Sequence, residues 1–246
     1  MATAGSSVAR LYLFQLSTTS VPLPGGRTLE MVLVCYLIET KDGIRILIDS
    51  GYPADLPKPA GAPPAENQKN VLEHLAELGL GADAIDLVIA THFDVDHAGY
   101  HDFFKRAEFL VQRKHYELAQ AGHARFAKAR AHWNHPELRY RLVDGDAEVV
   151  PGVRLIETSG HAPGHQSVLV RLPETGCVLL AIDAVVLERL FTMGRKAWPT
   201  DDNDEQLLAS TRKLLDLVER EQVALVVFGH DGLQWARLKK SPEYYG

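Results

Sequence analysis

Four side chains able to hold a metal fall within six residues in Thr91-His92-Phe93-Asp94-Val95-Asp96-His97-Ala98-Gly99, and three more, His161, Asp183 and His230, stand where apolar runs stop further along the 246-residue chain. Imidazole nitrogens and carboxylate oxygens at this density are the donor set of a divalent metal site. Taken singly, a loop histidine or aspartate is usually a cap or a solvated group, so the set carries the argument and no single member does. An extended segment would project His92, Asp94 and Asp96 to one side and His97 to the other, so that one loop could serve two metals. The chemistry such a pair supports is attack by a water molecule whose pKa the cations have lowered.

Those residues need a scaffold that brings distant strand ends together. Val, Leu, Ile, Tyr and Cys dominate Leu11–Leu16, Met31–Glu39 and Ile44–Asp49, which read as strands, with Lys41-Asp42-Gly43 as the hairpin turn between the last two. Val71, Leu72, Leu75 and Leu78 recur at helical spacing ahead of Gly79 and Gly81, and the strand Ile85–Ala90 then leads directly into His92. Helices are expected at Asp102–Arg106, Lys114–Ala121 and Glu205–Arg220, and strands at Val149–Thr158, Ser167–Arg171, Val178–Ile182 and Ala224–Phe228. A proline-rich stretch from Gly51 to Ala65 must run over the surface. Two batches of strands with helices outside predict a layered α/β sandwich, and the length suits one domain over residues 1–246.

A net charge of −6 and a pI near 6.0 argue against nucleic acid as a partner and favour a neutral or weakly charged small molecule. The basic run Arg125 to Arg130 is interrupted by Phe126 and Ala127 and reads as a solvated helix face. Cys35 and Cys177 sit in apolar runs with no Cys-x-x-Cys spacing and are expected to be buried thiols. Neither a leader nor a membrane-spanning stretch is visible, so a cytoplasmic protein without a membrane partner is expected. Tyr100, Phe191, Met193, Trp198 and the proline-rich loop are candidates to line an apolar pocket, with core packing as the equal alternative.

The run His92-x-Asp94-x-Asp96-His97 followed by distant His161, Asp183 and His230 resembles the His-x-His-x-Asp-His pattern of metallo-β-lactamase-fold proteins. Tyr36–Thr40, Ile48–Gly51, Val149–Val153, His161–Ser167 and Gly229–Asp231 are similar to segments of the N-acyl homoserine lactonases, and the likeness runs from about Leu11 to Asp231. The resemblance implies an α/β fold (α+β in some schemes), a four-layer αββα sandwich. It implies one metal held by His92, position 94 and His161, a second by Asp96, His97 and His230, and Asp183 between them. It further implies two zinc ions, a lactone or ester substrate whose carbonyl is attacked by a hydroxide shared between the metals, Asp96 as proton carrier, and a homodimer.

Two positions depart from the pattern. Asp94 replaces a histidine with a shorter and harder ligand, which would let the first position accept Mn, Fe or Co as readily as Zn. Val186 stands where the lactonases tend to place a tyrosine donor, and losing such a donor costs on the order of a hundredfold in rate. A different lactone, an aryl ester or a phosphodiester is therefore the first alternative; a di-iron redox protein and a non-catalytic binding module are remoter ones. Asp49 and His165 are candidates to orient the ligand histidines, although a strand-end aspartate and a loop histidine satisfy turns as often.

Overall fold

Side chains alternate between two apolar environments along the N-terminal strands, and that period of two sets the layering of the molecule. The computed structural model describes residues 6–23, 25–57, 65–66 and 68–246. β1 (Val8–Leu23) and β2 (Arg27–Thr40) pair antiparallel with Leu11 opposite Ile38 and Leu13 opposite Tyr36. β3 (Arg45–Ile48) follows through the predicted turn, where Gly43 adopts φ +88°. β4 (Ala65–Glu66) lies on the far edge beside β1, and α1 (Val71–Glu77) starts from an Asn70 and Glu73 capping box. β5 (Leu87–Ile89), β6 (Glu108–Gln112) and β7 (Arg139–Val143) then add in parallel, giving the order β4-β1-β2-β3-β5-β6-β7. The short helices α2 (Arg113–Gln120) and α3 (Arg130–Trp133) lie between β6 and β7 in the chain.

The second sheet contains β8 (Ala147–Val150), β9 (Val153–Glu157), β10 (Gln166–Leu172), β11 (Gly176–Ile182) and β12 (Leu225–Phe228), in the order β12-β11-β10-β9-β8. α4 (Asp204–Arg220) connects β11 to β12, and α5 (Gly232–Trp235) follows the last strand. Leu11, Leu13, Ile38 and Ile48 of the first sheet meet Leu155, Val168, Val170 and Leu180 of the second in the central core. On the outer face of the first sheet Tyr12, Phe14, Leu37 and Leu47 pack with Val71 and Leu75 of α1. On the outer face of the second, Ile156, Leu169 and Leu179 pack with Leu214 and Leu217 of α4. The expected αββα layering follows from these three apolar interfaces.

Three local expectations change. The strand predicted over Val149–Thr158 breaks at Pro151-Gly152, where proline cannot donate to a ladder and Gly152 takes φ +95°, so β8 and β9 form a hairpin. Asp102–Arg106 is no α-helix: the chain makes only a 3₁₀ turn at His101–Phe103, whose side chains face Phe93, Phe109 and Tyr100 in tertiary contacts. β6 and β7 lack expectations altogether, since Glu108–Gln112 is brief and Arg139–Val143 is a charged edge strand. Cys35 and Cys177 are buried and free. Among the described residues no helix is long and apolar enough to cross a membrane.

Trp235 joins the two sheets at the end where the ligand-type residues gather: it is fully buried, donates from Nε1 to Phe228 O at 2.9 Å and packs on the Tyr36 ring at 6.0 Å. Trp235→Ala is expected to destabilise the fold by about 3–5 kcal/mol, read as a fall in the denaturant midpoint with an unchanged m-value.

Candidate metal centre

Each ligand-type residue sits just past the end of a strand. The segment after β5 is not extended as its alternation suggested. His97 N and Ala98 N both donate to Asp94 O, at 3.0 and 3.1 Å, and the resulting turn folds Asp96 and His97 back toward His92. At the end of β3, Asp49 adopts φ +58°, and its carboxylate accepts from Thr91 N at 2.8 Å and Thr91 Oγ1 at 2.7 Å. At the end of β11, Ile182 is left-handed at φ +51°, a conformation a β-branched residue takes at a cost of about 1–3 kcal/mol, and this twist turns Asp183 out of the sheet toward the histidines. At the end of β12, Gly229 is required because a Cβ there would stand 2.6 Å from Ile182 O and 2.8 Å from Asp183 Oδ1.

The four histidines of the set share one arrangement. His230 Nδ1 donates to Val32 O at 2.7 Å, His97 Nδ1 to Asp49 Oδ2 at 2.9 Å, and His161 Nδ1 to Asp201 Oδ1 at 2.8 Å. His92 Nδ1 lies 3.0 Å from Thr91 Oγ1, whose own proton goes to Asp49. Every Nδ1 is thereby fixed as a donor, which leaves every Nε2 aimed at the common centre, where it can take a metal in exchange for any proton it carries. His92 Nε2, His97 Nε2 and Asp183 Oδ1 are buried with no hydrogen-bond partner. Orphaned donor atoms of this kind are costly unless a cation completes them.

The separations fit that cation. His161 Nε2 is 3.3 Å from Asp183 Oδ2 and 3.4 Å from Asp94 Oδ2, and His92 Nε2 is 3.5 Å from Asp94 Oδ2. An ion with bonds of about 2.0–2.1 Å to four tetrahedral ligands keeps them about 3.3 Å apart. Around the second position His97 Nε2 lies 3.5 Å from Asp183 Oδ1 and 3.9 Å from Asp96 Oδ2, and His230 Nε2 lies 3.1 Å from Asp183 Oδ2 and 3.9 Å from Asp96 Oδ2. His92 with His161 and Asp183, and Asp96 with His97 and His230, form two separate groups able to hold an ion.

Electrostatics point the same way. Burial and the neighbouring His97 push His92 down to about 3, so its ring is neutral. Burial also opposes charge on His161, yet Asp183, Asp201 and Asp94 outweigh it and raise that ring to about 9. Asp183 is held well below the ordinary carboxylate range, its desolvation overcome by His230, His97 and His161. A dehydrated cluster of carboxylates draws in positive charge, which protons on the rings or bound divalent ions can supply.

The surroundings include residues that pattern reading overlooked. Arg125, expected on a solvated face, instead donates from Nε to Asp94 Oδ1 at 2.7 Å and from Nη2 to Asp94 Oδ2 at 2.5 Å; its guanidinium is drawn inward by a carboxylate that only tertiary folding places there. Asp201, which orients His161, also accepts from Trp198 N at 2.6 Å. His115 accepts from Phe93 N at 2.9 Å and donates to Pro163 O at 2.7 Å, clasping the two ligand loops together, and burial pushes it down to about 4. His165 Nε2 accepts from Asp183 N at 3.3 Å, and Asp49 holds Thr91 and His97, so both candidates for orienting roles contact ligand-bearing segments.

Tyr100 lines a cavity of about 470 Å³ together with Leu16, Leu33, Tyr52, Pro53 and Leu56. Tyr52 lies within the field of Asp96, whose charge adds to burial in raising its phenol. Phe191 packs instead on Phe228 at 5.7 Å, Met193 is 37% exposed, and Val186 is buried, its carbonyl accepting from His230 N at 3.0 Å. Pro53 and Pro57 of the proline-rich loop are described, whereas residues 58–64 lie outside the described residues.

The sequence profile of the metallo-beta-lactamase superfamily matches residues 32–230. An N-acyl homoserine lactonase of Bacillus sp. is 33% identical over 239 residues, covering 93% of this chain and 92% of the relative. The N-acyl homoserine lactonase AttM of Rhizobium radiobacter is 30% identical, covering 96% and 98%. The AiiA lactonase of Bacillus thuringiensis, solved as a Phe-to-Trp mutant with N-decanoyl-L-homoserine at its active site, superposes with a TM-score of 0.84 at 29% identity, covering 97% of this chain and all of that one. An N-acyl homoserine lactone hydrolase with the product N-hexanoyl-L-homoserine at its catalytic metal centre gives the same TM-score, identity and coverage.

Because Asp49 fixes both the His97 tautomer and the start of the ligand loop, Asp49→Asn is expected to weaken divalent-metal binding by about 10- to 100-fold, measured by equilibrium dialysis against Zn²⁺ with the far-UV spectrum as a check on folding.

Proposed function

The chain belongs to the metallo-beta-lactamase superfamily, and on that footing we propose that it is a metal-dependent hydrolase opening the lactone ring of N-acyl homoserine lactones. The observation that carries this reading is the convergence of His92, Asp94, Asp96, His97, His161, Asp183 and His230, with unpartnered Nε2 and carboxylate atoms, in a chain about a third identical to lactonases along nearly its whole length. Two divalent ions bound there would supply a hydroxide near neutral pH and a Lewis acid for the ester carbonyl.

The residues themselves divide the remaining work. His92, Asp94 and His161 would hold a metal at the first position, Asp96, His97 and His230 one at the second, and Asp183 lies within reach of both groups. Zinc is the proposed native metal, with Asp94 also admitting Mn²⁺, Fe²⁺ or Co²⁺. Asp96 is the most open of the set, with 28% of its side chain exposed and 3.9 Å from both His97 Nε2 and His230 Nε2. From there it would accept the proton left on the hydroxide oxygen once that oxygen has added to the carbonyl, and pass it to the oxygen that leaves as the ring opens, giving the hydroxy acid. The apolar cavity beside Tyr52 and Tyr100 takes the acyl chain.

Val186 favours a second reading within the same chemistry. Its side chain offers no hydrogen bond to a carbonyl, so a lactone or ester bound through other contacts is the alternative substrate.

The purified protein is expected to hydrolyse N-acyl homoserine lactones, followed as hydroxy-acid formation by chromatography, in a panel that includes other lactones, aryl esters and phosphodiesters. Turnover confined to another member of the panel selects the second reading, and no turnover by metal-replete protein on any member defeats both. Chelation should abolish activity and Zn²⁺ or Co²⁺ restore it. Asp96→Asn should lower kcat by about 10²-fold or more, and full activity in that variant would remove Asp96 from its assigned role.

A further inference from the structure

Arg125 is placed where a metal would have to be accommodated. Its Nη2 lies 2.5 Å from Asp94 Oδ2 and 2.8 Å from His161 Nε2, two of the atoms whose spacing describes the first metal position, while Nη1 is anchored on Thr200 O at 2.6 Å. Asp183, Asp201 and Asp94 favour a proton on the His161 ring, but a donating Nη2 and a metal alike require Nε2 without one, and the single lone pair there is then all that His161 offers, since Nδ1 is committed as a donor to Asp201. A guanidinium N–H and a metal ion cannot share that pair. The second position has no such competitor among the described residues: His97 Nε2 is without a hydrogen-bond partner, and the short contacts of His230 Nε2 are to the carboxylates of Asp183 and Asp96.

We infer that Arg125 is an internal competitor for the first metal position. Resting on the reading of the site as a metal centre, this deepens it by making the two positions unequal. The Asp96–His97–His230 position loads first and tightly. The His92–Asp94–His161 position loads second and more weakly, because the incoming ion must lift Nη2 off His161. The Nε bond to Asp94 Oδ1, made on the other carboxylate oxygen, can persist, so Arg125 remains in place as a positioning residue for Asp94 after the ion enters. The first ion is then the exchangeable one, and its occupancy follows the free metal concentration over a range in which the second position stays full.

The test is a titration of the metal-stripped full chain with Co²⁺, read by the visible d–d bands, with Zn²⁺ content by elemental analysis after equilibrium dialysis as a measurement independent of turnover. Wild type should load in two steps whose dissociation constants differ by about tenfold or more; Asp94→Asn should lose only the weaker step; and Arg125→Met should tighten the weaker step by about tenfold or more. Two equal steps in wild type, within about threefold of each other, or a gap that Arg125→Met leaves unchanged, would overturn the inference. The wild-type isotherm decides the first point even if the Arg125 variant folds poorly. Failure of the metal reading would look different, as no uptake at either position, and failure of the lactonase reading as two-step loading without lactone hydrolysis.

Discussion

Carboxylates stripped of water need positive charge close by, and the end of this sandwich is organised around that demand. Asp183 is only 4% exposed, with imidazole nitrogens of His97, His161 and His230 between 3.1 and 3.5 Å from its oxygens. No single strand could assemble that group. His97 follows β5 of one sheet, His161 lies in the β9–β10 connection of the other, and His230 follows the last strand, so the charge balance exists only when both sheets are docked in register. The left-handed turn at Ile182 and the bare Cα of Gly229 are the local concessions that let a carboxylate and its partners approach this closely.

Polar ties between the sheets keep that docking exact enough for ligands. Gln166, fully buried on β10, donates to Ala90 O at 2.9 Å, two residues before His92, and accepts from Gln112 on β6 at 2.9 Å. His230 reaches across to Val32 O on β2, and His115 spans from Phe93 to Pro163. Gln166, His230 and the His115–Pro163 bond each tie one half of the sandwich to the other beside the His92, His161 or His230 segment. Apolar packing alone tolerates small shifts, whereas buried hydrogen bonds between the layers fix one relative placement.

The proposed ligands are legible in the sequence because a loop that concentrates four of them in six residues has no common structural use, and because the other three each follow an apolar run. The layering was legible for a related reason: alternation in β1 and β2 and the helical spacing in α1 and α4 are local properties. What escaped was tertiary. Arg125 lies in a basic run whose local pattern is that of a wet helix, and only the fold brings it 31 positions back in the chain to Asp94. Asp201 sits 40 residues from the histidine it orients, in a stretch without period. β6 and β7 escaped because short parallel strands take their apolar contacts from neighbours and not from a pattern of their own.

Seen beside Arg125, the aspartate at position 94 is a different kind of departure from the His-x-His-x-Asp-His pattern. A lone carboxylate in place of a neutral imidazole would add a negative charge to the site and strengthen its hold on any cation. A carboxylate whose two oxygens are both engaged by one guanidinium adds none: the pair is formally neutral, as the imidazole would be. The exchange therefore preserves charge while altering geometry and competition, since an imidazole brings no cation of its own and this pair does. The long-range electrostatics at this end of the sandwich are kept, and the difference is confined to local geometry and to a guanidinium that an imidazole would not bring.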